Sequence, residues 1–152
     1  MSCCCGEEKR IYTSEKAPKA LAPYSPAVKG GGFVFISGQL GMDPATGNVV
    51  EGGVEAEVRQ ALTNLKNLLE AAGTNLDNVV KTTVFLRDIN DFQRMNGVYA
   101  EFFVVNPPAR SAFQVGALPR GAAVEIEAIA LAGGSCDCDC DCDGDHCDCH
   151  HD

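Results

Sequence analysis

Residues 107–130 read PPARSAFQVGALPRGAAVEIEAIA, and this stretch constrains the fold more tightly than any other. Pro107 and Pro108 lock φ and disfavour helix in the residue before each ring, so Arg110 follows in extended geometry. Residues 111–115 read as a strand, Leu118-Pro119-Arg120-Gly121 as a turn, and residues 124–131 as a second strand. Period-2 alternation puts Glu125 and Glu127 on one face of that second strand, away from Val124, Ile126 and Ala128. The expectation is two adjacent strands carrying a fixed cation, Arg110, and a carboxylate within reach of one small anionic molecule. Such a pair suits recognition of a carboxylate beside a bond that water attacks.

Working outward, Val54, Val58, Ala61, Leu62, Leu65, Leu68, Leu69 and Ala72 recur at helical spacing, with Gly73 placed as the C′ residue. Glu57, Asn64, Lys66 and Glu70 are assigned to the opposite face, so this helix covers a sheet on one side. Residues 33–37 form a short apolar strand, entered through Gly30-Gly31-Gly32 and ended by Ser37 and Gly38; residues 43–48 (DPATGN) form a turn. Residues 79–86 are rich in β-branched side chains and read as a strand. Asp91 is placed to cap a second helix whose Phe92, Met95, Tyr99 and Phe102 or Phe103 make an apolar, core-facing stripe. Strands that outnumber two amphipathic helices predict an α+β sandwich, one mixed sheet with both helices on one face.

The 152 residues suffice for one domain with an ordinary core. No apolar run is long enough to span a bilayer, and the N-terminus lacks a signal-peptide core, so a cytosolic (cytoplasmic) protein is expected. Seven aspartates between Asp137 and Asp152 account for most of the net charge of −9, leaving −2 for the rest. A nearly neutral domain with an acidic tail lacks the electrostatic footprint of a nucleic-acid binder. All nine cysteines lie at the ends, so the middle cannot depend on disulfides or a structural zinc. The chain divides into an N-terminal appendage (1–9), a domain (10–132) and a tail (133–152).

Each candidate has a plain reading beside the chemical one. Arg110 can take a carboxylate bidentately, although a lone arginine at a strand start is more often a surface ion pair. Glu125 and Glu127 are equivalent by periodicity, and either can aim or activate water or simply be solvated. Tyr24 offers a phenol, or plugs a sheet edge. Ser37 offers a hydroxyl and Gly38 lets backbone approach a ligand, or the two form an ordinary turn. Asn96, followed by Gly97, has poor helix propensity for its place.

Five collinear motifs resemble the RidA family of reactive-intermediate (enamine/imine) deaminases, over residues from about 11 to 132. They are Ala22-Pro23-Tyr24-Ser25-Pro26-Ala27-Val28, then Phe35-Ile36-Ser37-Gly38-Gln39-Leu40-Gly41, and the strand at 79–84 followed by Asp88-Ile89-Asn90-Asp91-Phe92. Pro108-Ala109-Arg110 and Val124-Glu125-Ile126 complete the set. The resemblance implies a chorismate-mutase-like fold, a homotrimer with sites between subunits, and cofactor-free hydrolysis of 2-aminoacrylate-type imines to 2-oxo acids and ammonia. It implies that Arg110 anchors the substrate carboxylate, Glu125 rather than Glu127 activates water, and Tyr24 bonds substrate or water. It further implies pocket roles for Ser37 and Gly38, a supporting role for Asn96, and backbone contacts from Ala112. Ala112 replaces a cysteine of several bacterial relatives, which excludes thiol chemistry there. Pro26 stands where many relatives carry glutamine, which would reshape the pocket entrance. The alternative is a non-catalytic trimeric ligand-binding or interaction module, or a translation-inhibiting ribonuclease.

The tail reads as a separate device. Cys136, Cys138, Cys140, Cys142, Cys147 and Cys149, with His146 and His150, form a dense soft-ligand set suited to zinc or copper, against the plain reading of a low-complexity acidic tail. Cys3, Cys4 and Cys5 are candidate lipidation (palmitoylation) sites, while Ser2 excludes the usual N-myristoylation signal.

Overall fold

Alternation along residues 124–131 becomes a strand whose even-numbered residues Val124, Ile126, Ala128 and Ala130 are all buried. In a computed structural model that describes residues 8–133, this strand lies inside a six-stranded sheet. The strands are β1 (Arg10–Tyr12), β2 (Ala27–Gly30), β3 (Phe33–Leu40), β4 (Val79–Leu86), β5 (Ala109–Gln114) and β6 (Val124–Leu131), in spatial order β1-β2-β3-β6-β4-β5. All neighbours run antiparallel except β4 and β5, so the sheet is mixed. The parallel pair is joined through helix α2 (Phe92–Phe102), the crossover that parallel strands require. Helix α1 (Gly53–Ala71) packs beside it on β3 and β6.

The apolar stripe of α1 is buried as its spacing predicts, with Val58, Ala61, Leu62, Leu65, Leu68 and Leu69 fully enclosed. The helix ends in paired bonds, Gly73 N–H to the Glu70 carbonyl and Thr74 N–H to the Leu69 carbonyl, which is the Schellman arrangement expected for a glycine at C′. On α2, Met95 and Tyr99 are buried, and Phe103 joins them from just beyond the helix, its ring 4.7 Å from that of Tyr99.

Four expectations change. β5 and β6 are not neighbours: β4 separates them, because the 3-10 turn at Pro119–Gly121 leads β6 past β4 into the middle of the sheet. Ser37 and Gly38 do not end a strand, since β3 continues to Leu40 through a bulge between Ile36 and Gln39. Glu57 and Asn64 lie on the buried side of α1, one at 6% exposure and the other at 0%. Asp91 occupies the N-cap position of α2 without a side-chain cap bond; Asp88 instead caps the preceding 3-10 turn (Ile89–Asp91), accepting from the Asn90 N–H at 2.9 Å. The lipidation candidates and the tail ligands lie outside the described residues, and no helix among those residues is long and apolar enough to cross a membrane.

Candidate active site

Glu125 stands between Val124 and Ile126, both fully buried toward the helices, so its carboxylate projects from the open face of the sheet. It reaches a cavity of about 400 Å³ whose walls include Tyr24, Ser37, Gly38, Pro119 and Arg120. Gly38 makes the room, because a Cβ at that position would overlap the Glu125 Oε1. The bulge in β3 thus carries glycine to admit a carboxylate from the neighbouring strand. Burial raises the Glu125 carboxyl above its ordinary value, and the like charge of Glu127 on the same face raises it further. A carboxyl shifted toward neutrality is suited to exchanging protons with a substrate or water.

The rest of this wall is fixed by β3. The Ser37 N–H donates to the Pro26 carbonyl at 2.9 Å, and its hydroxyl donates to the Ser25 carbonyl at 2.6 Å. Ser37 therefore ties down the loop that carries Tyr24, and what it can still offer a ligand is a lone pair. The Tyr24 N–H bonds the Ala22 carbonyl at 2.8 Å, and its side chain is 52% exposed at the cavity. Such an exposed phenol on a cavity wall remains available to a ligand or to a second chain.

Arg110 lies elsewhere. It pairs in register with Thr82, whose hydroxyl bonds the Tyr99 phenol at 2.7 Å beneath the helices, so Arg110 belongs to the helix side of the sheet. Its guanidinium carbon sits 4.7 Å from the Tyr99 ring centroid and 5.6 Å from that of Phe92, with Nη1 4.0 Å from Met95 Sδ. Among the described residues no carboxylate forms an ion pair with it. Stacked on two rings and without a counter-ion, it is held in place with hydrogen-bonding capacity for an anion. Burial raises the Tyr99 phenol, while its bond to Thr82 and the charge of Arg110 oppose the rise.

Ala112, two residues on, faces a separate shallow depression with Ile89, Asn90, Phe92 and Gln93. Asn96 Oδ1 is buried with no hydrogen-bond partner among the described residues. The candidates therefore form two groups. Tyr24, Ser37, Gly38 and Glu125 meet at one cavity, whereas Arg110 and Ala112 share the helix side of edge strand β5. Within one chain the expected cation–carboxylate pair is not assembled, because the two residues lie two strands apart on opposite faces of the sheet.

Sequence reading missed Lys19 and Arg120 as cavity residues. Arg120 has φ 57° and donates Nη1 to the Gly47 carbonyl at 2.7 Å. That bond joins positions 73 residues apart, and no local pattern announces it.

A family model described as Endoribonuclease L-PSP matches residues 14–132. The chain is 56% identical over 125 residues to the 2-iminobutanoate/2-iminopropanoate deaminase of Capra hircus, covering 82% of this chain and 91% of that one. It is 52% identical over 125 residues, with the same coverage, to the protein of that name in Homo sapiens. The solved structure of RidA from an Antarctic Psychrobacter superimposes with TM-score 0.78 at 46% identity, covering 80% of this chain and 98% of that one.

Proposed function

The chain belongs to the endoribonuclease L-PSP family, the RidA family of reactive-intermediate deaminases, and from that premise we propose that it hydrolyses 2-imino and 2-enamino carboxylates to 2-oxo acids and ammonia. It thereby removes reactive intermediates before they damage other cell components. The observation that supports this most directly is the Glu125 carboxyl, raised by burial and facing a cavity sized for a small metabolite.

In the proposed mechanism Arg110 holds the substrate carboxylate through paired N–H donors. The Glu125 carboxylate takes one proton from a water as its oxygen bonds the imine carbon, and the imine nitrogen takes a second proton from bulk solvent. The carbinolamine then receives the Glu125 proton on nitrogen, the C–N bond breaks, and ammonia leaves. The remaining hydroxyl passes its proton to Glu125 as the carbonyl forms, and Glu125 releases it to solvent, which restores the carboxylate and balances the proton taken up in the first step. One water is consumed for each ammonia released, with no electron transfer. Tyr24 orients water or substrate, the Ala112 backbone contacts substrate, and Asn96 buttresses the Arg110 side.

Because Arg110 and Glu125 occupy opposite faces, each complete site is built from two chains of a homotrimer. The open face of the sheet supports this assembly: Phe35, Phe113 and Leu131 are each about half exposed there, beside the partly covered Phe85, as a face that packs against another copy would leave them. The location proposed is cytoplasmic.

Pairing the purified protein with a threonine or serine dehydratase is expected to accelerate appearance of the 2-oxo acid. Binding of 2-oxobutyrate in a calorimeter without any acceleration would instead identify a ligand-binding module.

The tail is proposed as a separable soft-metal chelator on a metal-independent enzyme, supported by the segregation of every cysteine and histidine into the chain's two ends. Thiols must ionise to bind, so affinity is expected to fall steeply with acid. Truncation after Gly134 is expected to abolish zinc or copper(I) binding and leave imine hydrolysis intact. Retention of the full metal stoichiometry in the truncated protein would overturn this assignment. Lipidation at Cys3, Cys4 or Cys5 remains a separate proposal, tested by mass spectrometry of the intact protein.

A further inference from the structure

Helix α1 carries two polar side chains in the stripe it turns toward the sheet, Glu57 and Asn64, which are seven residues and thus about two turns apart. Burying a carboxylate or an amide is unfavourable unless hydrogen bonds compensate, so both contacts are informative. Asn64 Nδ2 donates to the Leu40 carbonyl at 3.2 Å and the Met42 carbonyl at 2.9 Å, while its Oδ1 accepts from Gln60 Nε2 at 2.8 Å. Leu40 and Met42 both wall the cavity that Glu125 enters.

Glu57 acts on the other strand. Its Oε1 accepts the Ala123 N–H at 2.8 Å, two residues before Glu125. The Ala123 carbonyl in turn accepts the Arg87 backbone N–H at 3.0 Å, so both polar backbone atoms of Ala123 are held. These bonds fall where they are most needed. Glu125 is the second residue of β6, and the chain ahead of it is a turn that contains left-handed Arg120. Glu125 itself is paired on both sides, with Leu40 on β3 and Phe85 on β4, and Glu57 extends that hold to Ala123 at the entry to the strand. Gly41 lets the helix come close enough, since a Cβ there would lie 2.5 Å from the Glu57 Cα.

We propose that Glu57 is a positioning residue that sets where Glu125 stands in the cavity, with Asn64 fixing the facing wall. What matters is the place of an acceptor oxygen, not its charge. The inference rests on the deaminase reading for its kinetic consequences but not for its geometry.

Two variants of the full chain separate these requirements. Glu57→Gln keeps an oxygen at the same reach and loses the charge; Glu57→Asp keeps the charge and withdraws the oxygen by one methylene. The Gln variant is expected to retain kcat and KM within about twofold. The Asp variant is expected to lose kcat about tenfold with KM within about twofold, because small displacements of a reacting group are costly. A direct readout is the Glu125 titration, followed by NMR in protein labelled at glutamate carboxyls. Glu127 on the same strand, and Lys19, Arg120 and Tyr24 around the cavity, are common to all three proteins, so a change reports the setting of Glu125 itself. In the Asp variant the titration is expected to move down toward the ordinary carboxylate range, and in the Gln variant to stay. An Asp variant that matches the parent in both kcat and titration, or a Gln variant as impaired as Asp, would overturn the proposal. A parent protein without imine hydrolysis would overturn the deaminase reading alone, and the titration would still decide the role of Glu57.

Discussion

Replacing Arg110 by alanine is expected to lower kcat/KM for imine hydrolysis by about one and a half to three and a half orders of magnitude, from the loss of about 2–5 kcal/mol when one partner of a buried charge pair is truncated. The guanidinium is already stacked on Tyr99 and Phe92, so little order must be imposed when the substrate carboxylate arrives. Arg110→Lys is expected to fail as well: an ammonium is a point donor that cannot present two parallel N–H groups. The fold should persist, because Thr82 and Tyr99 keep each other's hydroxyls satisfied without Arg110. Dehydratase-coupled rates and thermal melts on the same samples check both statements. An alanine variant with parental kcat/KM would remove the carboxylate anchor from the mechanism.

Replacing Glu125 by glutamine is expected to lower kcat by about a hundredfold or more, the usual contribution of a positioned general base. The parent's rate should rise with pH through the Glu125 pKa, because only the ionised carboxylate can take a proton from water. Burial and Glu127 both raise that pKa, so the acid limb is expected above the ordinary carboxylate range and should move down in Glu127→Gln. The same shift has a stability consequence. A carboxyl whose folded pKa exceeds its unfolded value binds more protons when folded, so its contribution to stability declines as pH rises from the unfolded value through the folded one. Above that window the charged group destabilises the fold. Glu125→Gln is therefore expected to melt higher than the parent near neutrality, with the difference vanishing in acid. An acid limb within the ordinary range, unmoved by Glu127→Gln, would contradict this electrostatic account.

Much of this molecule is legible in local pattern. Alternation from Val124 to Leu131 gave β6 and the open-face position of Glu125, because a half-buried strand must alternate. The stripe on α1 and its glycine stop are equally local. What failed was non-local or depended on polarity alone. The short connection between β5 and β6 suggests a hairpin, yet β5 pairs with β4 and β6 enters between β4 and β3. Strand order is set by burial of whole faces, and no local window contains it. Glu57 and Asn64 fit the buried stripe by spacing, each three or four residues from enclosed neighbours, and polarity sent them to the wrong face. Their partners, Ala123 and the Leu40 and Met42 carbonyls, lie far along the chain.

The division of the site between two chains is the central claim, and subunit complementation tests it most directly. Arg110→Ala and Glu125→Gln proteins, each nearly inactive alone, would be unfolded together in equal amounts and refolded as mixed oligomers. If every site takes its arginine from one chain and its glutamate from the next, random assortment around a ring leaves roughly a quarter of the sites with both intact. The mixture is then expected to recover about a quarter of the parent's activity. A mixture no more active than its two components would contradict the account, because sites contained within single chains cannot complement one another.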